Sequence, residues 1–483
     1  MNKINKAFLF YPPGELYQRG EDRSQGNVSN SSATSMRAPN DMGYVSSQLK
    51  KRKIKVFFKD YPSENKSYEA LEHDFVNFSP DIVCTSTTTS TIEKDIKIIN
   101  KLKEKNNKPL FVIKGSLFFS APLDLLKSID LINIDYLIGG EIEFAFDQLV
   151  EHINNNKNDL SEIPGIFYRE NDVWTSTNFS AWNKDIDSLP FPDRSIINNK
   201  LYVRPDTEEP QATIATSRGC PAACIYCLTP TISGKITRFR EPKKVLSELE
   251  DCFYNYGIKN FFFKSDTFTI NREWVLEICN EINNSGLKNK IEWVANSRVK
   301  PLEQETLYAM REAGCWLVAF GFESGSDETL KKIKKGANSK DNILAAEMTK
   351  KAGLKLYGFY LIGLPWENES HLEMTRTHIF DTKPDFLELH IAVPYYGTEL
   401  YDYAKKEGIL NVPIVGQNYF EEATTGTKYL SSDFLVKFRK KTLIDYHLQA
   451  RFIYNKLIEG VKSPKKFKNY IKFGSRLIKN NII

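Results

Sequence analysis

Three cysteines fall within eight residues of this chain: Cys220-Pro-Ala-Ala-Cys224-Ile-Tyr-Cys227. Gaps of three and two residues place the three thiols in one tight loop. The stretch before them, 212–216, reads as a buried strand, and Ser217-Arg218-Gly219 turns out of it. Three converging thiolates can hold three irons of a cubane (4Fe–4S) cluster and leave the fourth iron an open position. Such a cluster can do chemistry, because a substrate or cofactor can bind the open iron directly. The competing reading is structural zinc, which wants four ligands, and no fourth Cys or His lies within about twenty residues on either side. A disulfide would leave one of the three thiols unpaired. The apolar run at 7–10 is too short for a secretory h-region, and seven cysteines, an odd number, predict a reducing cytoplasm. The other four, Cys84, Cys252, Cys279 and Cys315, sit in apolar contexts suited to small hydrophobes.

The elements that must position this loop alternate. Strands at 212–216, 259–263, 291–296, 316–321, 355–361 and 385–391 are separated by helical patterns, six repeats in all. In a run of this kind functional groups come from the carboxyl ends of the strands. Those ends carry Asp266, Arg298, Glu323-Ser324, Gly363-Leu364-Pro365 and Tyr395-Tyr396. Singly, an Arg or Asp there is more often a salt bridge or a cap. Their order at successive ends, after the cysteine loop, favours one shared site. The six histidines form no ligand cluster, and only His390 stands near such an end.

Residues 1–155 alternate too, with strands at 7–10, 54–58, 81–84, 109–113 and 135–138. This predicts a doubly wound, flavodoxin-like parallel sheet, whose ligands sit outside the carboxyl ends of its strands. Three loops there are small and polar: Thr85-Ser86-Thr87-Thr88 with the two residues after it, Gly115-Ser116, and Gly139-Gly140-Glu141. Small residues let the backbone approach a large flat ligand, and hydroxyls can bond its periphery. Residues 156–205 read as a connector with a small hairpin and the Pro-stiffened Leu189-Pro-Phe-Pro-Asp-Arg194. The six repeats occupy 206–408, and 409–483 is helix-rich.

A chain of 483 residues is too long for one core and fits two or three domains. No apolar run of about eighteen residues could span a bilayer. Net charge of +5 is mild and does not argue for nucleic acid. The basic excess is concentrated in 451–483, with nine Lys/Arg against the single acid Glu459. That is either a solvated helix face or a contact for an anionic partner, a membrane surface or another protein such as an electron donor.

The cysteine spacing, with Tyr226 immediately before the third Cys, resembles the radical S-adenosylmethionine (SAM) superfamily. The resemblance implies a partial (β/α)6 barrel in which the open iron binds SAM, and a reduced cluster cleaves it to a 5′-deoxyadenosyl radical. It implies Asp266 near the SAM amino group, Arg298 near its carboxylate, and Glu323 and Ser324 at the ribose hydroxyls. Gly363, Leu364 and Pro365 would frame the adenine, with Tyr226 against the same base. It also implies an electron donor such as flavodoxin or ferredoxin.

The N-terminal pattern, through Ser79-Pro-Asp-Ile-Val-Cys-Thr-Ser-Thr-Thr and the run from Gly139, resembles the cobalamin-binding domain of one large radical SAM subfamily. Thr85, Ser86, Thr87, Thr88, Gly115, Gly139, Gly140 and Glu141 would then line the cobalamin. Two positions depart from that pattern: no Asp-x-His-x-x-Gly supplies a lower cobalt ligand, and Lys114 stands where Gly is common. The expected activity is cobalamin-dependent C-methylation of a small-molecule, lipid or natural-product substrate. The alternatives are cyclisation, rearrangement or oxidation by the same radical, and a non-catalytic iron–sulfur protein.

Overall fold

The structure is a computed structural model that describes residues 3–19, 27–28, 36–119, 123–139, 141–157, 159–177, 182–410, 414–419 and 422–481. Gly140 and most of the polar loop after the first strand lie outside the described residues.

The first sheet contains β1 (Lys6–Tyr11), β2 (Lys55–Asp60), β3 (Ile82–Ser86), β4 (Leu110–Lys114) and β5 (Tyr136–Ile138), all parallel, in the order 2-1-3-4-5. That order is the doubly wound one, with a switch point between β1 and β3. The strands are short runs of Phe, Leu, Ile and Val buried on both faces, as helices covering both sides require. Helix Ile92–Lys105 shows how they are covered: Ile92, Ile96, Ile99 and Leu102 recur at helical spacing and are all buried.

The sheet does not stop at β5. A hairpin, β6 (Ile166–Glu170) and β7 (Val173–Ser176), adds to its edge, β6 antiparallel to β5. The hairpin expected in a connector is therefore the outer edge of the N-terminal sheet. Its Ile166 and Phe167 are apolar and need that cover. The Pro-stiffened linker packs on helix Asn40–Lys51, where Ser46 donates to the Asp193 carboxylate at 2.7 Å.

The second sheet has six parallel strands, hydrogen-bonded side by side in the order in which they follow along the chain. They are β8 (Gln211–Ala215), β11 (Asn260–Lys264), β12 (Glu292–Ser297), β13 (Cys315–Glu323), β14 (Lys355–Ile362) and β15 (Phe386–Ile391). β8 and β15 stand at opposite edges, so this is a partial barrel. A two-stranded ribbon, β9 (Ser217–Arg218) and β10 (Arg238–Phe239), follows β8 and brackets the cysteine loop. Trp293 anchors the outer core, fully buried, stacked on Phe263 at 4.4 Å and donating to the Ala313 carbonyl at 2.7 Å. The four cysteines outside the loop are buried, and burial pushes their thiols up.

The two sheets meet through their carboxyl edges. The short helix Thr229–Ile232, just after Cys227, packs on the turn Ser116–Phe119 that follows β4. Helix Ser432–His447 covers β15, and the segment at 414–419 returns to the first sheet, where Gly416 donates to the Thr89 carbonyl at 3.0 Å. Helices Ala450–Val461 and Pro464–Asn481 lie at the other end, by the amino ends of β14 and β15.

Candidate active site at the seam of the two sheets

The chain reverses sharply at Gly219, whose φ is +89°. A Cβ there would run into the Ile236 carbonyl and lie 2.9 Å from that of Ser233, so the turn admits only glycine. The Asp266 carboxylate, at the end of β11, accepts the Gly219 N–H at 2.8 Å. Asp266 thus pins the start of the cysteine loop. Cys220 donates its N–H to the Gly234 carbonyl at 3.1 Å, and Ile225 donates to Ile333 at 3.2 Å. The loop is therefore held from below by β11, from one side by the ribbon turn, and from the other by the turn at 333–336.

Cys220 and Cys224 are buried and Cys227 is partly exposed. Each sulfur has a polar neighbour: Thr267 Oγ1 at 3.7 Å from Cys220, Arg298 Nη1 at 3.3 Å from Cys224, and Thr229 Oγ1 at 3.1 Å from Cys227. Among the described residues no three of His, Cys, Asp or Glu converge as a single metal ion demands. A cubane asks for less, one thiolate per iron. Three thiols on one loop, each beside a donor that can stabilise a thiolate, fit that group.

The charged residues around the loop alternate in sign. Glu323 ends β13 at a bulge with φ of +65°, a conformation non-glycine residues rarely adopt. That backbone turns its carboxylate onto the Tyr226 hydroxyl and Lys335 Nζ, each 2.8 Å away. A side chain at Gly321 would collide with the same carboxylate and stand 2.9 Å from Lys335 Nζ. Burial, then the Glu323 charge, pushes the Tyr226 phenol well above its usual range. Burial works against the Arg298 charge, yet the facing sulfurs of Cys224 and Cys220 hold its pKa above the ordinary value.

Lys335 escaped sequence reasoning, and so did Glu367. Lys335 is only 4% exposed, thrown inward between Lys334 and Gly336, both at positive φ. The Lys-Gly pair after a short helix was the available signal. Glu367, fully buried, accepts the N–H groups of Gly363 at 2.8 Å and Leu364 at 3.0 Å. The backbone donors expected to frame adenine therefore serve a carboxylate inside the protein. Pro365 gives its carbonyl to the Lys428 N–H at 2.9 Å. Burial raises Glu367 to about 7, against the pull of those two N–H groups.

Ser324 also differs from expectation. It is fully buried and its hydroxyl meets Thr375 Oγ1 at 3.0 Å on helix Glu369–Thr382, which makes it a joint between strand and helix. Tyr226, Asp266, Arg298 and Glu323 are brought together around the cysteines, and Ser324, Gly363 and Leu364 are tied into the surrounding frame.

The N-terminal loops reach the same seam, with their hydroxyls already bonded. Thr85 donates to the Phe10 carbonyl at 2.8 Å, Ser86 to Asp41 at 2.6 Å and Thr87 to Asp95 at 2.6 Å. Thr88 shares a 3.0 Å contact with Thr91. Arg19 clamps Asp95 through two nitrogens, at 2.7 and 3.0 Å. A flat ligand here would be approached through backbone and methyl groups, as the close packing of Gly115 on Thr87 allows. Glu141 is drawn away from such a ligand: Arg238 holds it at 2.7 and 3.0 Å, and Arg218 bridges it to Glu143. Gly139 donates to the Gly165 carbonyl at 2.8 Å, joining β5 to the hairpin.

Toward the amino ends of its strands the barrel holds a half-open cavity of about 80 Å³, lined by Phe262, Asn296, Ala319, Tyr357 and Phe359 and by Arg37, whose guanidinium lies 4.0 Å over the Phe262 ring. Tyr357 donates to Glu388 at 2.8 Å, and Glu388 meets His390 Nε2 at 2.9 Å.

Residues 214–379 match the Radical SAM superfamily. An uncharacterized methyltransferase of Pyrococcus horikoshii is 29% identical over 462 residues, 95% of each chain. The anaerobic magnesium-protoporphyrin IX monomethyl ester cyclase of Cereibacter sphaeroides is 27% identical over 368 residues, 74% of this chain and 59% of that one. The solved structure of the radical SAM methyltransferase TsrM from Kitasatospora setae, with cobalamin and a 4Fe–4S cluster bound, shares the fold at a TM-score of 0.66 and 16% identity, over 85% of this chain and 76% of that one.

Proposed function

We propose that this radical SAM enzyme is a cobalamin-dependent C-methyltransferase acting on a small-molecule, lipid or natural-product substrate. One observation carries the reading: the carboxyl edge of a doubly wound sheet packs directly against the cysteine loop of a partial barrel, at Thr229–Ile232 and Ser116–Phe119. In open sheets of this kind the ligand lies at that edge, so the loops of the first sheet and the three cysteines would serve one shared site. The methyltransferase name of the P. horikoshii relative supports the transfer, and the cobalamin in TsrM supports the cofactor.

A reduced cluster together with SAM would supply a radical able to take hydrogen from an unactivated carbon; the protein's part is binding, orientation and exclusion of water. Cys220, Cys224 and Cys227 would hold the cluster. Arg298 would face the carboxylate of SAM as a cation, and the Glu323–Lys335 pair would offer hydrogen-bond partners to its ribose hydroxyls. The loops at Thr87, Gly115 and Gly139 would hold cobalamin through backbone and methyl contacts.

The cyclase of C. sphaeroides favours a second reading, oxidation or ring closure on a substrate radical without methyl transfer. Reconstitution with iron, sulfide and methylcobalamin separates the two. Protein that retains cobalamin absorbance after gel filtration supports methyl transfer; protein that binds the cluster, cleaves SAM and retains no cobalamin removes it.

A further inference from the structure

The last two helices turn apolar side chains outward. On helix Ala450–Val461 the exposed positions Ile453, Tyr454, Leu457, Ile458 and Val461 recur at spacings of three and four, one stripe down the helix, with Val461 86% exposed. Helix Pro464–Asn481 adds exposed Phe467, Ile471 and Ile478. A surface helix ordinarily points such a stripe at the core, and an exposed apolar patch of this extent marks an interaction surface. Between the helices lies an apolar groove of about 270 Å³, closed at its base by Phe386 of β15.

Lysines border the stripe. Lys462 follows Val461, Lys468 follows Phe467, and both are exposed, as are Lys465 and Lys472. Lys472 reaches Glu208 at 2.9 Å and Lys465 reaches Glu209 at 3.8 Å. Exposed pairs of this kind are weak and exchange readily for other anions. Lys456, in contact with Glu459 and the Phe452 and Tyr470 rings, belongs to the fold itself.

The border decides what covers the stripe. A second copy docked across a two-fold axis would bring lysine rows together. An anionic bilayer meets both features, with acyl chains for the stripe and lipid phosphates for the lysines. No helix among the described residues is long and apolar enough to cross a membrane, so the contact is in the interface plane. The hairpin also lies by the amino ends of β14 and β15, away from the cysteine loop, and docking leaves the seam clear. We propose that the helical hairpin 450–481 seats the protein on an anionic phospholipid surface.

The test is sedimentation of the full chain with vesicles of phosphatidylglycerol and phosphatidylcholine in equal parts, and with phosphatidylcholine alone. Binding to the anionic vesicles that falls with salt is expected. The pair Leu457→Asp and Ile471→Asp, and separately Lys462→Ala with Lys468→Ala, should each weaken it at least about tenfold while circular dichroism stays unchanged. The lysine pair, on exposed positions, keeps the test valid if the aspartates disturb folding. No sedimentation with anionic vesicles, or equal binding by the lysine variant, overturns the proposal. So does a wild-type dimer that Lys462→Ala and Lys468→Ala leave intact and Leu457→Asp dissolves.

Discussion

The guanidinium of Arg298 lies 3.3 Å from the sulfur of Cys224 and donates a second hydrogen bond to the carbonyl of Lys335. One side chain at the end of β12 therefore joins the cysteine loop to the turn that delivers Lys335 onto Glu323. Arg298→Ala removes a positive charge facing a thiolate, so the cluster should become harder to reduce and SAM should bind more weakly. A charged hydrogen bond contributes about 1.5–3 kcal/mol, which is at least about tenfold in SAM affinity. A redox titration followed by electron paramagnetic resonance, with SAM binding measured in parallel, checks both; wild-type values for each would refute the role.

Cys224→Ala should abolish iron binding at the loop and leave a folded protein, since the loop stands on a sheet it does not build. Iron and sulfide analysis after anaerobic reconstitution, beside a thermal melt, tests this. Full iron content in the variant would contradict the ligand assignment.

Gly219→Ala should lose the cluster although all three thiols remain. The left-handed backbone alone costs a non-glycine residue about 1 kcal/mol or more, and its Cβ meets the Ile236 carbonyl. The expected readout is lowered iron occupancy with near-normal secondary structure. An alanine variant that reconstitutes like the wild type would show that the turn can relax.

Glu141→Ala should loosen the joint between the sheets. Arg238 is 9% and Glu141 8% exposed by side chain, so the change leaves the buried Arg238 guanidinium without its carboxylate, while Arg218 keeps Glu143. Breaking such a pair costs about 3–5 kcal/mol. Denaturant unfolding measures the loss; a change below about 1 kcal/mol would mean that Glu143 or solvent replaces the lost partner.

Stability should fall as pH rises between the ordinary carboxyl range and neutrality. Burial raises Glu367 to about 7, so between about 4.5 and 7 the folded protein holds a proton that the unfolded chain has released. Its contribution is fully present below the unfolded pKa and is lost as pH rises through the folded one, by up to about 3 kcal/mol. Glu367→Gln should flatten this part of the unfolding profile. An unchanged slope in the variant would assign it to other groups.

Several pieces of this protein were legible before any coordinates. The cysteine spacing, the two alternating runs of strand and helix, and the two acids and one base at the ends of β11, β12 and β13 are local patterns. Each depends on chain neighbours or on a period of two or about four, and strand boundaries came within about two residues for that reason. Asp266 and Arg298 fell at the seam because a parallel strand followed by a helix has only one edge to offer.

Pairing across the fold was settled by tertiary structure alone. The hairpin at 166–176 could read as a connector because nothing local says which sheet edge is vacant beside it. Lys335 and Glu367 were hidden because their inward direction follows from turns and burial far from the cysteines in sequence. By type and position the hydroxyls of Thr85, Ser86 and Thr87 suit the periphery of a ligand, yet Phe10, Asp41 and Asp95 lie within hydrogen-bond reach once the sheet closes. Sequence alone determined which chemical groups the chain owns and which strand end each occupies; which of them face one another was decided only when folding buried them, because a buried polar group is stabilised by a partner brought from elsewhere in the chain.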